Sequence, residues 1–518
     1  MTRRSISRWL PALAGSLVTL LTTAPPAFAA GDGSPLIDAA RRGDAAAVKQ
    51  AIARTADVNA TEGDGATALH WAAYRDDAAT VDLLLRSGAR PNAANDLQFT
   101  PLFAAAENGS VSVTRRLLAA GADSNAALIS GETVLMTAAR TGNPEVVAAL
   151  LAAGANPNAA ERTQGQTALM WAVAQRHPAA VRALLAAGAE ASARTRSYPQ
   201  VVKTTPQATN PAYIVEIQQG GYTPLLFAAR AGDLESATLL VDKGADVNDR
   251  APIGTSALTV AAHSGHGNVA AFLLERGADP NDAGGGYTAL HAALLHRDEA
   301  LAGRLLARGA DPNAAVGRAT PTRRDSVDYY LDPSYVGATP LWLAARFNLP
   351  GVVKRLVAHG ADARTAHAPT YYVGEGPARP KNAPPSTDPD RRLVAEGAVS
   401  PVMAAIGLGG RQPLFAADLP GRLAETARGD ARRTTLAEPE VLETVKAVVE
   451  AGADLGVANA EGVTALHAAA TRDYATVVAY LIENGAPVDA RTRKGQTPLD
   501  AAIAASSTRS AEVLQRAR

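Results

Sequence analysis

The 518-residue chain contains no cysteine, and several kinds of site are excluded for that reason. A disulfide framework, a thiol nucleophile, a cysteine-ligated metal and a lipid-modified N-terminal cysteine all need that residue. Aromatic residues are scarce as well, at 4% of the chain, although hydrophobic residues reach 47%. Most of the apolar mass is therefore alanine and leucine, which favours closely packed short helices over a β-sandwich.

Net charge and catalytic motifs are also missing. Because 50 lysines and arginines balance 50 aspartates and glutamates, the chain exerts no long-range attraction on a polyanion, and we expect no nucleic-acid partner,. The sequence contains no nucleophile-elbow, zincin, phosphate-loop or dinucleotide-binding motif,. We therefore expect a protein that is not an enzyme and that needs no cofactor.

The first thirty residues have the pattern of an export signal. The basic pair Arg3-Arg4 precedes an apolar run at 10–21 that is too short to span a bilayer, and the motif AFA at 27–29 is typical of a cleavage site,. We interpret residues 1–29 as a signal peptide. Paired arginines also occur in twin-arginine signals, so the export route stays open. No later run is apolar enough to span a membrane, and we expect an exported protein of the bacterial periplasm or the extracellular space.

A unit of 33 residues recurs along the rest of the chain, and Thr223 to Asn248 is its clearest copy. Pro224 has the position of a first helical residue, where a missing N–H costs nothing. Gly244 follows a second apolar run, where a helix end favours a left-handed residue. Two helices of about two turns each are marginal in water, so the unit needs neighbours. The position of Leu225 recurs at Leu36, Leu69, Leu102, Leu135, Leu169, Leu258, Leu290, Leu341, Val402, Leu466 and Leu499.

Short motifs recur with the same period. Thr67-Ala68-Leu69-His70 has counterparts at 288–291 and 464–467, and endings such as Gly244-Ala245-Asp246 follow the second helix. These motifs resemble the turns and ends of the ankyrin repeat family, and the resemblance covers Ser34 to Arg518. It implies an all-α ankyrin-repeat solenoid of about twelve helix-pair units, with a β-hairpin finger between successive units. The first and last units lack the glycine end and are interpreted as caps.

The turn histidine of that family is present in only some units. His70, His291 and His467 hold the position, and the resemblance implies a local hydrogen bond there. Other units carry a different residue, for example Met136 and Asp500, and we expect them to lose that bond.

Four longer gaps interrupt the period. Three fall at the finger, at about residues 193–221, 314–337 and 365–399, and the fourth, at about 407–438, separates the two helices of the tenth unit. Long loops inside a regular array are usually either functional or disordered. We interpret residues 34–518 as one ankyrin repeat domain that carries these four insertions.

Tyrosine is concentrated in the three finger insertions, which hold seven of the chain's twelve tyrosines. Disordered segments are poor in aromatics, whereas tyrosine offers a large contact area at low entropic cost and is favoured at binding surfaces. The fingers are therefore candidate partner-binding segments, although packing back onto the repeats as a brace would also account for them. The seven tyrosines are Tyr198, Tyr213, Tyr329, Tyr330, Tyr335, Tyr371 and Tyr372.

The resemblance also implies a concave surface, lined by the residues that follow the paired alanines of each first helix. These positions vary in kind while the packing positions repeat. Freedom from packing explains this variation as well as recognition of a partner does. The candidate partner-binding residues on this surface are Tyr74, Arg75, Arg140, Arg230, Arg346 and Phe347.

The histidines do not indicate a metal site. His263 and His266 are three residues apart, but no third ligand is evident,. A structural role is favoured for them, and we expect no bound metal.

The sequence as a whole predicts a monomeric, non-enzymatic scaffold of the cell envelope. It would bind a partner protein through the concave groove and the tyrosine-bearing fingers. The alternative is an envelope enzyme or an enzyme accessory subunit with a site built from the insertions. Histidine, aspartate and tyrosine converging from separate fingers in one pocket would favour that alternative.

Overall fold

The computed structural model describes most of the chain beyond the interpreted signal peptide, residues 1–29, which lies outside the described part. Short α-helices in consecutive pairs dominate the described residues, and the strands among them form two hairpins. This confirms the predicted all-α architecture of helix-pair units. The residues described are 34–203, 214–318, 331, 333–373, 392–409 and 437–517.

The chain divides into two compact units. The first comprises Met1–Tyr198 and Gln219–Pro252, and the second comprises Pro199–Gln218 and Ile253–Arg518. The helices of the first unit are α1 (Pro35–Arg42), α2 (Ala45–Ala53), α3 (Ala68–Tyr74), α4 (Ala78–Arg86), α5 (Pro101–Glu107), α6 (Val111–Ala119), α7 (Val134–Thr141), α8 (Pro144–Ala152), α9 (Ala168–Ala174), α10 (Pro178–Ala186), α11 (Pro224–Ala231) and α12 (Leu234–Asp242).

The second unit continues the pattern, and two hairpins lie within the predicted insertions at about 193–221 and 365–399. Its helices are α13 (Ala257–His263), α14 (Gly267–Glu275), α15 (Ala289–Leu295), α16 (Glu299–Ala307), α17 (Pro340–Arg346), α18 (Pro350–Ala358), α19 (Pro401–Ala405), α20 (Glu438–Glu450), α21 (Ala465–Thr471), α22 (Ala475–Glu483), α23 (Pro498–Ala504) and α24 (Thr508–Arg516). The strands are β1 (Ser197–Lys203), β2 (Ile214–Gly220), β3 (Thr370–Val373) and β4 (Arg392–Ala395), paired as β1–β2 and, antiparallel, β3–β4.

Local sequence signals set the ends of the helices, as α11 and α12 illustrate. Thr223 precedes α11 in an extended conformation, and its hydroxyl oxygen caps the first turn,. Gly244 follows α12 with a φ of +91°. The Ala245 N–H then reaches back to the Leu240 carbonyl at 3.0 Å, which satisfies a carbonyl that the helix leaves unpaired,.

The helix pairs of the first unit pack in two layers. The first helices contact one another in the order α1, α3, α5, α7, α9 and α11, and the second helices do so from α2 to α12. Leu102 and Leu135 hold the same position in successive first helices, and they are 0% and 1% exposed. Alanines such as Ala105 and Ala138 fill the neighbouring positions and are fully buried, which lets the helices approach closely,. Each pair therefore buries its apolar surface mainly on its neighbours.

The second unit has the same two layers. Its first helices run from α13 through α15, α17 and α19 to α21 and α23, and its second helices from α14 to α24. The tenth helix pair differs because α19 has only five residues. The chain leaves it through Gly407 and Gly409, both at positive φ. The short helix still packs between α17 and α21, so the layer continues through the interrupted pair.

Where the turn histidine is present, it links its helix pair to the next. Nδ1 of His70 accepts from the Thr67 N–H at 3.1 Å, so Nε2 carries the proton and donates to the Phe99 carbonyl of the following finger at 2.9 Å. His291 and His467 make the equivalent bonds. One side chain thus caps its own helix and also fixes the register of the next repeat.

The expected loss of the local bond is wrong at two of the units that lack this histidine. The Met136 sulfur accepts from the Thr133 N–H at 3.4 Å, and an Asp500 carboxylate oxygen accepts from the Thr497 N–H at 2.8 Å. Both side chains offer an acceptor at the same place on the helix, so the local cap survives. A thioether and a carboxylate carry no N–H, so neither side chain can donate to the carbonyl of a following finger as Nε2 of the histidine does.

Asparagines at the repeat ends form a second set of links. Asn125 donates from Nδ2 to the Gly154 carbonyl at 3.0 Å, and its Oδ1 accepts from the Asn156 N–H at 2.8 Å. One amide therefore joins the ends of two successive second helices. The same pair of bonds is made by Asn59, Asn92, Asn158, Asn281 and Asn313.

We predict that Asn125→Ala lowers the free energy of unfolding of the first unit by about 1–2 kcal/mol, because two hydrogen bonds between repeats are lost together. Denaturant unfolding of the full chain measures the change. Gln50→Ala, on the exposed side of α2, is the matched control and should change stability by less than about 0.5 kcal/mol. Equal midpoints for the two variants would show that the asparagine links contribute nothing.

Candidate functional site

The last turns of α1, α3, α5, α7, α9 and α11 form one surface of the first unit, which we call the first-helix face. In α3 and α7 the paired alanines are buried, and the residue after them is exposed. Tyr74 is 42% exposed, and the side chain of Arg140 is also 42% exposed. Arg75 is exposed and Arg230 half-buried. The helix period therefore places these predicted residues on a common face above a fixed alanine layer.

Contacts between neighbouring repeats hold several side chains of this face. Arg75 donates from Nη1 to the Arg41 carbonyl at 3.1 Å. The Arg41 guanidinium lies 5.0 Å from the centre of the Trp71 ring, and Tyr74 meets the same ring edge-on at 6.1 Å. The stack of Arg41 on Trp71 joins two successive repeats, so no local sequence signal reveals it.

The tyrosines of the fingers fall into three groups. Tyr213, Tyr329 and Tyr330 lie outside the described residues. Tyr371 and Tyr372 lie in β3, opposite Val394 and Leu393 of β4. The other two are Tyr198, which is 39% exposed in β1, and Tyr335, which is half-buried.

Tyr335 packs inwards. Its ring lies 6.4 Å from Trp342 and 6.0 Å from Phe347, two aromatic residues at and just after α17. His367, from the next insertion, meets the Trp342 ring edge-on at 4.7 Å. The indole N–H of Trp342 donates to the Val399 carbonyl at 3.0 Å. The bases of two insertions are therefore fixed to one buried tryptophan.

The predicted groove residues of the second unit are less accessible than those of the first. Arg346 is only 6% exposed, and Phe347 is half-buried between the finger base and its own helix. Burial lowers the pKa of the neighbouring Arg472, and the nearby Arg346 charge lowers it further. The candidate surface of this unit is therefore covered where the insertions return.

Buried histidines of the second unit are held neutral. Burial lowers the pKa of His263 from 6.5 to about 3, with His296 as a second cause, and the Tyr287 hydroxyl lies 2.7 Å from Nδ1 of His263. Burial likewise lowers the pKa of His291 to about 4. His266 precedes α14 at its N-cap. Within the described residues, no group of three or more histidines and carboxylates is arranged to hold a metal ion.

The described helices include none that combines the length and the apolar character needed to cross a membrane.

Comparison with known families agrees with the repeat geometry. A family model of ankyrin repeats in three copies matches residues 36–128, 119–195, 225–316 and 436–517, and a model of the single ankyrin repeat matches 336–367. The chain belongs to the ankyrin repeat family. Among solved structures, the crystal structure of the human ASB11 ankyrin repeat domain is similar at 29% identity, covering 48% of this chain and 100% of that one with a TM-score of 0.39. No curated protein sequence matches the chain.

The ankyrin matches leave residues 368–435 uncovered. Helix α19 lies in this interval and packs like the other first helices, between α17 and α21. The first helix of the tenth repeat is therefore short and falls outside the family match, while its packing position is kept.

We predict that the second unit loses stability as the pH falls from 6.5 towards about 4. His263 and His291 have folded-state pKa values below the unfolded value of about 6.5,. Their contribution to the free energy of unfolding is therefore complete above pH 6.5. It is lost as the pH falls below 6.5, because the unfolded state then takes up protons that the folded state does not. Each histidine adds a slope of at most about 1.4 kcal/mol per pH unit.

Hydrogen exchange of the α13 and α15 amides between pH 7 and pH 4 measures this slope. In the variant His291→Gln a glutamine at the third helical position can still reach the N-cap N–H, but it does not titrate. The pH dependence of the free energy of opening should therefore correspond to one proton fewer in this variant. An unchanged free energy of opening across the whole range would contradict the prediction.

Proposed function

We propose that this ankyrin repeat protein is a non-enzymatic scaffold of the bacterial cell envelope that binds a partner protein. The observation that carries the proposal is the first-helix face of the first unit. Side chains of different chemistry, Tyr74, Glu107 and Arg140, stand exposed at equivalent places above buried alanines, and the exposed Arg75 follows Tyr74. Residues that are freed from packing and presented in register are suited to recognising a complementary surface.

Membership of the ankyrin family supports the class of function, since such repeats typically serve as protein-interaction modules. Tyr74 adds an aromatic anchor of the kind that dominates binding energy at interfaces,. Export rests on the pattern of residues 1–29, and that placement is part of the proposal. We also propose that the exported chain is a monomer.

The second unit favours a further role for its insertions. Tyr335 and His367 come from different insertions, and both rings pack on Trp342. We propose that these finger bases brace the stack, while the exposed Tyr198 in β1 remains available for contact. The tyrosine-bearing fingers thus have two roles, bracing the stack of repeats and offering an exposed side chain for contact with a partner.

The enzymatic alternative has less support from the same residues. It requires reactive side chains from separate fingers to meet in an accessible pocket. His367 and Tyr335 do pack on the same tryptophan, but His367 is 4% exposed, and its Nε2 hydrogen-bonds the Ser334 carbonyl at 2.6 Å. Such an arrangement uses the imidazole Nε2 to fix the chain at the base of the insertion.

We predict that the exported chain, used as bait, captures a partner from its own envelope fraction through the first-helix face. The double variant Tyr74→Ala, Arg75→Ala should reduce capture at least about tenfold, because an aromatic anchor and a charge are removed together. Quantitative mass spectrometry of the captured proteins, with the melting temperature of each bait, gives the measurement.

Lys49→Ala with Gln50→Ala, two exposed residues of α2 in the other helix layer, is the matched control. It should capture as much partner as the unchanged chain. If both double variants with intact melting temperatures retain the same proteins in the same amounts, the first-helix face is not the binding surface.

A further inference from the structure

The first unit contains two stacks of an arginine on a tryptophan. The Arg41 guanidinium carbon lies 5.0 Å from the Trp71 ring centre, and that of Arg140 lies 5.7 Å from the Trp171 ring centre. In both cases the arginine lies in the last turn of the first helix of one repeat, and the tryptophan lies in the first helix of the next. The two stacks are thus the same construction at repeats one and two and at repeats four and five.

The first stack is completed by a carboxylate. Glu62 accepts a hydrogen bond from Nε1 of Trp71 at 3.1 Å and forms an ion pair with Arg41. Its side chain is only 11% exposed, because it lies between the two groups that it joins. The indole N–H and one guanidinium nitrogen of this stack therefore share the same carboxylate as their partner.

The equivalent carboxylate of the second stack is used elsewhere. Glu161 holds the same place in its finger as Glu62, since each begins a turn closed by a glycine N–H. Glu161 oxygens, however, accept from the backbone N–H groups of Thr163, Gln164 and Gln166 at 2.5, 2.7 and 3.0 Å. The finger of this repeat has one extra residue, and its glutamate closes that longer turn.

The second stack consequently lacks an acceptor. Nε1 of Trp171 is screened from solvent and has no hydrogen-bond partner among the described residues. The carboxylate that pairs with Arg140 is Glu132 at 3.7 Å, and the same Glu132 oxygen already accepts from the Thr137 hydroxyl at 2.8 Å. A buried donor without a partner costs free energy, so binding of an acceptor from outside the chain at this position is favourable.

We propose that Arg140 and Trp171 form a docking point for an acidic side chain of the partner protein. This rests on the proposed function and specifies the chemistry that the first-helix face recognises. The carboxylate of the partner occupies at the second stack the position that Glu62 occupies at the first. It accepts one hydrogen bond from the indole N–H and pairs with the guanidinium.

The exposed Arg140 side chain gives a carboxylate access to the indole N–H of Trp171. The long arginine side chain is 42% exposed and covers the ring from the solvent side. Rotation of that side chain uncovers the indole N–H and keeps the guanidinium beside the incoming charge. Glu132 then retains its bond from Thr137 and needs no new partner.

The test follows the indole N–H signals of the full exported chain by NMR. The probe is a hexaglutamate peptide with both ends capped. Its controls are capped hexaglutamine and hexaglutamine with a free C-terminal carboxylate. The Trp171 signal is assigned by its absence in Trp171→Phe. We expect a saturable downfield shift of the Trp171 signal with hexaglutamate alone, and no shift of the Trp71 signal, whose acceptor is already in place.

Two variants sharpen the result. Arg140→Gln should weaken the apparent affinity for hexaglutamate about tenfold, since the charge-assisted bond is lost. Glu62→Ala opens the first stack, and the Trp71 signal should then respond to the same peptide. No saturable Trp171 shift, an equal shift with capped hexaglutamine, or a shift with only the free C-terminus would each overturn the proposal.

These outcomes are separate from the test of the proposed function. A chain that captures its partner through Tyr74 and Arg75, but shows no Trp171 response to hexaglutamate, keeps the scaffold role and loses the acidic docking point. A chain that captures no partner, but responds to the peptide, retains the site and loses the assigned role.

Discussion

The fold depends on helices that are too short to be stable by themselves. Each repeat supplies two helices of seven to nine residues in most cases, as in α3 and α4, and such helices are marginal in isolation,. They become stable because leucines and alanines of each first helix are buried between the helices of adjacent repeats. The turn histidines and the repeat-end asparagines add hydrogen bonds across the same junctions. Stability therefore resides between repeats more than within them.

Because of this constraint, each first helix has positions fixed by packing and positions that are free to vary. The positions that face neighbouring repeats are confined to alanine, leucine and a few polar linkers, while the residue after the paired alanines is free to vary. In the first unit that freedom produces an exposed face with tyrosine, arginine and glutamate in register. It also produces the Arg–Trp stacks, one completed by Glu62 and one whose tryptophan N–H has no acceptor among the described residues.

Much of the fold follows from the sequence, because the period, the threonine turn and the glycine end are all local signals. The helix pairs in phase with Leu225 and Gly244 are of this kind, and so is the exposure of Tyr74. The inward packing of Tyr335 and the burial of Arg346 do not follow from local signals. Both depend on where an insertion returns to the stack, which is a contact between distant residues. The acceptors at Met136 and Asp500 were missed because the family pattern names a residue, whereas the helix end needs only an acceptor.

The central claim is that neighbouring repeats stabilise one another, and hydrogen exchange on Leu135→Ala tests it most directly. Leu135 is 1% exposed in α7, within the first unit, and its truncation should cost about 2–5 kcal/mol,. If stability resides between repeats, the amides of α5 and α9 lose protection together with those of α7. Loss of protection confined to α7 and α8, with both neighbours unchanged, would show that each repeat is stable alone and would contradict the account.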